Sequence, residues 1–448
     1  MAKLRPTLSY AENTHSKPEV IASRVHIKPV IRAAQFWERD CPQPWIANRA
    51  RNRIIRPRVA ERFPAPDPSQ FIARMSTFSI MQSAPGPETV IDGMRYLYFG
   101  GTSYLGLANH PEVIEAGCAA LRQFGVHSAT TRARFGTNPP VLEVERRAAE
   151  FFGTEDAFYF GSGYMTNHIM VAALAPDVDA VLVDEAAHYC VIEATRLAGK
   201  PIHTFRHRDP DDLAKVAAQH ARVLVMADGV GPSSGTLAPV RDYLAALQGR
   251  DYAALLLDDA HGFGVLGEHG RGLLDELGLW PHVNGGSAVT GVHLSVGGTL
   301  AKALGGFGGI IPGTRAFIEC ARQSSHYFDG ASAPASAEAG ATAKALEIVL
   351  REPALRERLR ANVRQVRTGL RELGIAVPEG DAANLGVTIG GADNMRRISE
   401  ALKARGILLP YVGTYSGIPP EGVLRFAIFA THTSEQLDRL LAGLRAVV

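Results

Sequence analysis

Lys302 is the one charged side chain in GGTLAKALGG, residues 297–306, where glycines, small residues and leucines surround it. No other lysine occurs between Lys215 and Lys344, although arginines are plentiful in that span. An amine can lose its proton and become a nucleophile, whereas a guanidinium effectively cannot. A surface lysine that snorkels into water is the plain alternative. The apolar, glycine-rich setting instead points to burial beside a cofactor, where the amine would lose its proton more readily.

Other reactive residues follow short apolar runs. In LLLDDAHGFG, Asp258 and Asp259 come directly after a buried-looking run, and His261 lies three residues past Asp258. A strand end turning into solvent would look similar, but two carboxylates, a histidine and nearby glycines form a denser cluster than that requires. No second ligand cluster stands out, so no metal is assigned. VDEAAHYC repeats the form, with His188 four residues after Asp184; by itself His188 reads as a packed histidine. In FGSGYMTNH, Gly161, Ser162 and Gly163 let the backbone approach a ligand closely, and Tyr164 follows where a helix starts. Amides at a helix N-terminus suit a phosphate. Any tight strand-to-helix turn uses glycine too, and the stretch lacks both the GxGxxG spacing and the Walker lysine. Together the four stretches supply a phosphate cradle, a carboxylate, a histidine face and an amine. Pyridoxal phosphate needs these groups: a lysine holds its aldehyde as a Schiff base, and a carboxylate keeps its ring nitrogen protonated.

These residues need a scaffold. The runs at 157–160, 180–184, 222–228, 253–259, 294–298 and 308–313 are short and apolar and alternate with helical stretches. Strands of that kind predict an α/β fold, with a mainly parallel sheet covered by helices on both faces. Ligands in such sheets bind beyond the carboxyl ends of the strands, where the reactive residues sit. HPEVIEAGCAALRQFG and PPVLEVERRAAEFFG predict helices that end at Gly125 and Gly153. Residues 1–90 are rich in Pro and Arg and read as an extension, with a helix around residues 30–40 and Phe36, Trp37 and Trp45 packing on something. A large domain is expected over 91–335, and a smaller C-terminal α/β domain over 336–448, opened by a long helix.

The chain has 448 residues, of which 46% are hydrophobic and 21% charged, with a net charge of +2. That balance gives no reason to expect nucleic acid or a membrane surface as partner. Cys41, Cys118, Cys190 and Cys320 form no CxxC pair, which fits reduced thiols and a cytoplasmic protein. The first thirty residues lack the apolar core of a signal peptide.

From about residue 96 onward the sequence resembles the α-oxoamine synthases, which are fold-type-I pyridoxal-phosphate enzymes. YLGLANHPEVIEA, FGSGYMTN, LLLDDAHGFGVLGEHGRG, GGTLAKALGG and LRFAIFATHT carry the resemblance in order and spacing. It implies that Lys302 forms the internal aldimine and moves the substrate's α-proton, that Asp258 pairs with the pyridine nitrogen, and that His261 sits by the ring's phenolic oxygen. It also implies that His188 stacks on the ring, that Ser162, Gly163, Tyr164 and Thr299 hold the phosphate, and that Arg425 binds the amino-acid carboxylate. Thr102 falls where the family places an asparagine near that substrate. The implied reaction joins an amino acid to an acyl thioester, of CoA or a carrier protein, with loss of CO2, in a homodimer whose sites lie at the subunit interface.

Several stretches depart from the family. Thr102 and Ser103 replace Asn-Asp, HSATTR with His127 replaces a GSGGSR-like stretch, Pro232 stands for a hydroxyl residue, and Asp329 and Gly330 stand where threonines would be. These changes keep open a second reading, in which the same carbanion serves aldol, elimination or transamination chemistry. A third, a catalytically silent binding scaffold, fits the surviving Lys302, Asp258, His261 and Arg425 less well. The N-terminal arginines and aromatics are read as docking a carrier protein or covering the partner subunit. Deleting residues 1–85 is then expected to weaken acyl transfer or dimerisation, and unchanged kinetics with unchanged mass in solution would refute that role.

Overall fold

The alternation of short buried strands with helices builds an α/β structure. The computed structural model describes residues 78–448. The helix expected at 30–40, its neighbouring aromatics and most of the extension lie outside the described residues. Among those residues the strands are β1 (Glu88–Ile91), β2 (Met94–Tyr98), β3 (Asp156–Phe160), β4 (Ala180–Asp184), β5 (Ile202–Phe205), β6 (Arg222–Asp228), β7 (Tyr252–Asp258), β8 (Val292–Thr299), β9 (Gly309–Gly313), β10 (Asn384–Val387), β11 (Ile407–Leu408), β12 (Tyr411–Val412) and β13 (Val423–Ala427).

The main sheet has seven strands in the order β3-β9-β8-β7-β6-β4-β5. Strands β8, β7, β6, β4 and β5 run parallel, and β9 runs against both of its neighbours. Each apolar run named from sequence is one of these strands. The edge strand β5 has no such run: in IHTF Phe205 alone is buried, so the apolar signal is missing. Along β6 and β7 alternate residues feed two separate cores. Val223, Val225, Ala253, Leu255 and Leu257 pack on one face, while Leu224, Met226, Ala254 and Leu256 pack on the other. Each buried Val or Leu contributes about 1.5–3 kcal/mol, which explains the near-continuous apolar sequence of these strands.

The two helices expected from Pro-rich starts and Gly ends span Pro111–Phe124 and Pro139–Phe152. Gly153 closes the second at φ 62°, a left-handed position that glycine adopts without strain. Arg132 of HSATTR is buried, with a fork of bonds to Glu145 at 2.6 and 2.9 Å, while His127 is exposed and its Nδ1 accepts from Ala129 N. The long helix covers Ser336–Arg351. After it, β10, β13 and β12 form a small antiparallel sheet. A second small sheet joins β1 and β2 to β11, so residues 88–98 pair with the C-terminal region rather than with the seven-stranded sheet. No helix among the described residues is long and apolar enough to cross a membrane.

One turn ties the main sheet to β10. Asn384 Nδ2 donates to Gly231 O at 2.8 Å and to Pro232 O at 3.2 Å, and Gly386 N donates to Ser234 O at 3.0 Å. Gly235 has φ 69°, and a Cβ there would lie 1.9 Å from Asn384 O. Gly235→Ala is therefore expected to destabilise the protein by about 2 kcal/mol or more in urea unfolding. A wild-type unfolding curve would contradict this account of the turn.

Candidate active site

The strand ends converge. β6 ends at Asp228 and β7 at Asp258, and these two residues are directly paired across the ladder. Asp258 is likewise paired with Gly297 of β8, which ends two residues later at Thr299, and Lys302 follows in the next turn. Parallel register thus delivers two carboxylates, a hydroxyl and an amine to one edge.

Lys302 Nζ lies 2.8 Å from His261 Nε2, and His261 Nδ1 lies 2.8 Å from Tyr104 Oη. Arg425 Nη2 donates to Tyr104 Oη at 3.3 Å. A guanidinium only donates, so the tyrosine oxygen accepts from Arg425 and its O–H is free to donate to Nδ1. With Lys302 neutral the imidazole proton can sit on Nε2, whereas a protonated Lys302 donates to Nε2 and leaves Nδ1–H to donate to Tyr104 Oη. Burial, followed by the charges of Lys302 and Arg425, pushes the His261 pKa well below its ordinary value, so the ring is neutral. Burial also lowers the Lys302 pKa, against the opposing pull of Asp258 and Asp228. The pair is therefore a neutral imidazole beside an amine that releases its proton easily.

Asp258 is held on both oxygens. Oδ1 accepts from Ala260 N at 3.0 Å, and Oδ2 accepts from Asn167 Nδ2 at 2.7 Å and from Cys190 Sγ at 3.4 Å. Asp259, its neighbour, has a different task. Its Oδ2 accepts from Leu273 N at 2.6 Å, and Cβ atoms on Gly262 or Gly272 would collide with its carboxylate, so it anchors the loop that carries His261. Burial pushes the Asp259 pKa up to about 7. Asp228 is likewise pushed well above the usual carboxylate range, by burial and then by Asp258, and its Oδ2 accepts from His188 N at 2.7 Å.

The remaining expected residues line the same region. Ser162 Oγ accepts from Tyr164 N at 3.3 Å and opens the short turn Gly163–Met165, which runs into the helix Thr166–Leu174. Thr299 backs this turn, since a Cβ on Gly163 would lie 2.6 Å from Thr299 Cβ; its Oγ1 donates to Gly308 O at 2.8 Å. The Tyr164 side chain turns outward and donates to Glu193 Oε2 at 2.6 Å. His188 contacts Cys190 Sγ through Nδ1 at 2.9 Å and Tyr415 Oη through Nε2 at 2.9 Å. Arg425, on β13, also donates to Gly101 O at 3.0 Å and to Pro232 O at 3.2 Å. Pro232 thus offers a carbonyl that orients Arg425. Thr102 is half-buried beside Gly101, and its carbonyl accepts from Tyr104 N at 2.8 Å. Asp329 is exposed and lies 3.5 Å from His326 Nδ1.

Sequence reasoning did not single out Tyr104, Asn167, Cys190, Asp228 or Tyr415. The signal for Tyr104 was present, because it opens the YLGL stretch; Asp228 ends an apolar run as Asp258 does. Asn167, Cys190 and Tyr415 carry no comparable local mark.

The amine's environment is directly testable. Asp258 raises the Lys302 pKa, so Asp258→Asn is expected to lower it further. The pH profile of Lys302 labelling by trinitrobenzenesulfonate, read by peptide mapping of the apoprotein, should move to lower pH. An unmoved profile would contradict the coupling.

The aminotransferase class I and II family model matches residues 96–444. Over 373 residues the chain is 36% identical to 8-amino-7-oxononanoate synthase from Nitrosococcus oceani, covering 82% of this chain and 96% of that one. It is 34% identical over 366 residues to the enzyme of the same name from Pseudomonas aeruginosa PAO1, covering 82% and 89%. Among solved structures, Sphingomonas wittichii serine palmitoyltransferase superposes with a TM-score of 0.75 at 25% identity, covering 85% of this chain and 95% of that one. Serine palmitoyltransferase from S. paucimobilis, with bound PLP–myriocin, superposes with a TM-score of 0.74 at 26% identity, covering 84% and 95%.

Proposed function

This chain belongs to the aminotransferase class I and II family and, within it, to the α-oxoamine synthases, and we propose on that premise how its own residues divide the work. The protein is a pyridoxal-phosphate-dependent acyltransferase. It condenses an amino acid with an acyl thioester and releases CO2. One amino acid, one thioester and one proton become one α-aminoketone, one CO2 and one thiol.

The residues at the strand ends fit the cofactor. Gly163 is pressed against Thr299 where any Cβ would collide, leaving hydroxyls and backbone at a helix start to receive a phosphate. Asp258 presents a fixed carboxylate for the ring nitrogen, Lys302 an amine for the aldehyde, and His188 a ring to stack on the cofactor's face. When bound, pyridoxal phosphate supplies an electron sink for the pair left behind when a proton or carboxylate leaves the substrate's α-carbon.

The chain's residues do the rest. Arg425 binds the amino-acid carboxylate; its Pro232 and Gly101 carbonyl contacts hold the guanidinium plane. Lys302 Nζ, with its proton affinity lowered by burial, takes the α-proton and returns it at the end. His261 donates from Nε2 to the incoming thioester carbonyl, in the tautomer that Tyr104 supports by donating to Nδ1. The observation that carries this reading is the Lys302–His261 contact of 2.8 Å beside the clamped Asp258.

The active form is read as a cytoplasmic homodimer. Phe135, 91% exposed, and Val126, 66% exposed, support a partner surface, and Cys118 and Cys190 outside disulfides support a reducing compartment.

Amino acids and acyl thioesters screened in pairs should release CO2 and free thiol in equal amounts for the true pair. Thiol release without CO2 would overturn the condensation. Arg425→Ala should raise the amino-acid KM about tenfold or more with a smaller change in kcat. An unchanged KM would point to a substrate without a free carboxylate.

A further inference from the structure

A second polar cluster stands where the main sheet meets the small antiparallel one, apart from the residues assigned to the cofactor. A cavity of about 500 Å³ opens there between the turns after β5 and β6, the end of β10 and the start of β13. Arg208, Ser234, Thr236 and Thr388 line it with polar groups, and Ile418 and Val423 with apolar ones. The backbone N–H of Arg208 donates to Asp184 Oδ2 at 3.1 Å. Its Nη1 donates to Leu237 O at 2.7 Å, while Nη2 is buried and bonds to no atom among the described residues.

The guanidinium lacks a counter-ion. Asp184 is satisfied by other donors: Oδ1 accepts from His207 Nδ1 at 2.8 Å and from Ala186 N at 2.9 Å, and Oδ2 takes the Arg208 backbone N–H. Among the described residues no carboxylate pairs with the Arg208 side chain. A guanidinium stays charged, and a buried charge without a partner is costly. Hydroxyls gather at the same place. A Cβ on Gly231 would lie 3.2 Å from Arg208 Nη2, 3.2 Å from Thr236 Oγ1 and 2.2 Å from Ser234 Oγ. The two hydroxyl oxygens are 2.8 Å apart, so one donates to the other and the second hydrogen is left to give. The ionisable groups that act on Arg208 are Tyr243, Asp184 and Asp228.

We propose that this cavity binds a small organic monocarboxylate, its carboxylate on the Arg208 guanidinium and the Ser234–Thr236 hydroxyl pair, its apolar stem against Ile418 and Val423. One guanidinium balances one negative charge, and Asp184 repels a second, which selects a carboxylate over a phosphate. Nη2 is shut from water, so binding turns the free edge of the guanidinium into the cavity it lines. The site is separate from Arg425 and stands independently of the condensation reading.

Calorimetric titration of the holoenzyme with acetate, butyrate and hexanoate tests the site, with hexanol and inorganic phosphate as controls. Affinity should rise about fourfold for each added methylene, because the stem is buried. Hexanol and phosphate should bind about tenfold or more weakly than hexanoate. Arg208→Gln removes the charge and should weaken hexanoate binding about tenfold or more. Arg425→Ala removes the arginine assigned to the amino-acid carboxylate, and one hexanoate per chain should still bind.

Equal binding of hexanol and hexanoate, tighter binding of phosphate, an affinity unchanged in Arg208→Gln, or no binding of any probe would each overturn the proposal. Loss of all hexanoate binding in Arg425→Ala would place the ligand at the condensation centre, overturning a separate site while leaving the condensation reading intact. Should Arg208→Gln fail to fold, Ile418→Trp decides, since it fills the cavity from the connection between β12 and β13. Loss of hexanoate binding in that variant supports the site, and binding at wild-type strength overturns it.

Discussion

The structure depends on keeping an amine partly out of water without leaving it permanently charged. Lys302 meets that demand because it follows a strand whose neighbours end in carboxylates, and because its Nζ faces a neutral imidazole. Burial lowers its proton affinity, and Asp258 and Asp228 limit the drop. The two opposing effects leave a group that can both give up and regain a proton, which proton transfer at a carbon requires.

The parallel sheet turns that local demand into a fold. Direct pairing of Asp228 with Asp258 sets the ends of β6 and β7 level, and pairing of Asp258 with Gly297 lets β8 run two residues further to Thr299. A carboxylate at each of two adjacent strand ends is costly in a buried setting, and the site offsets the cost with donors: His188 N to Asp228, and Asn167, Cys190 and Ala260 to Asp258. The small sheet carrying Arg425 is locked to the main one by the Gly231–Gly235 turn, so the guanidinium and the amine are held at a fixed spacing through Tyr104 and His261.

Much of this was legible in the sequence, for a physical reason. Strands buried on both faces must be apolar throughout, so their ends announce themselves, and Asp258, His261, Thr299 and Lys302 stand just past such ends. Edge strand β5, with one buried residue in four, left no such trace. The residues that sequence reasoning passed over act through partners far along the chain. Tyr104 meets His261 across 157 positions, Asn167 meets Asp258 across 91, and Tyr415 meets His188 across 227. No local pattern encodes such contacts. At Pro232 the group that contacts Arg425 is a backbone carbonyl, which any residue supplies, and the replacement of a hydroxyl residue there has no structural explanation.

The central claim is that Lys302 is the amine that binds the cofactor's aldehyde, with Asp258 opposite. Reduction of the holoenzyme with borohydride, followed by proteolysis and mass spectrometry, tests it most directly. The account predicts a single phosphopyridoxyl group on the peptide containing Lys302. A label on another lysine, or none on a protein saturated with pyridoxal phosphate, would contradict it.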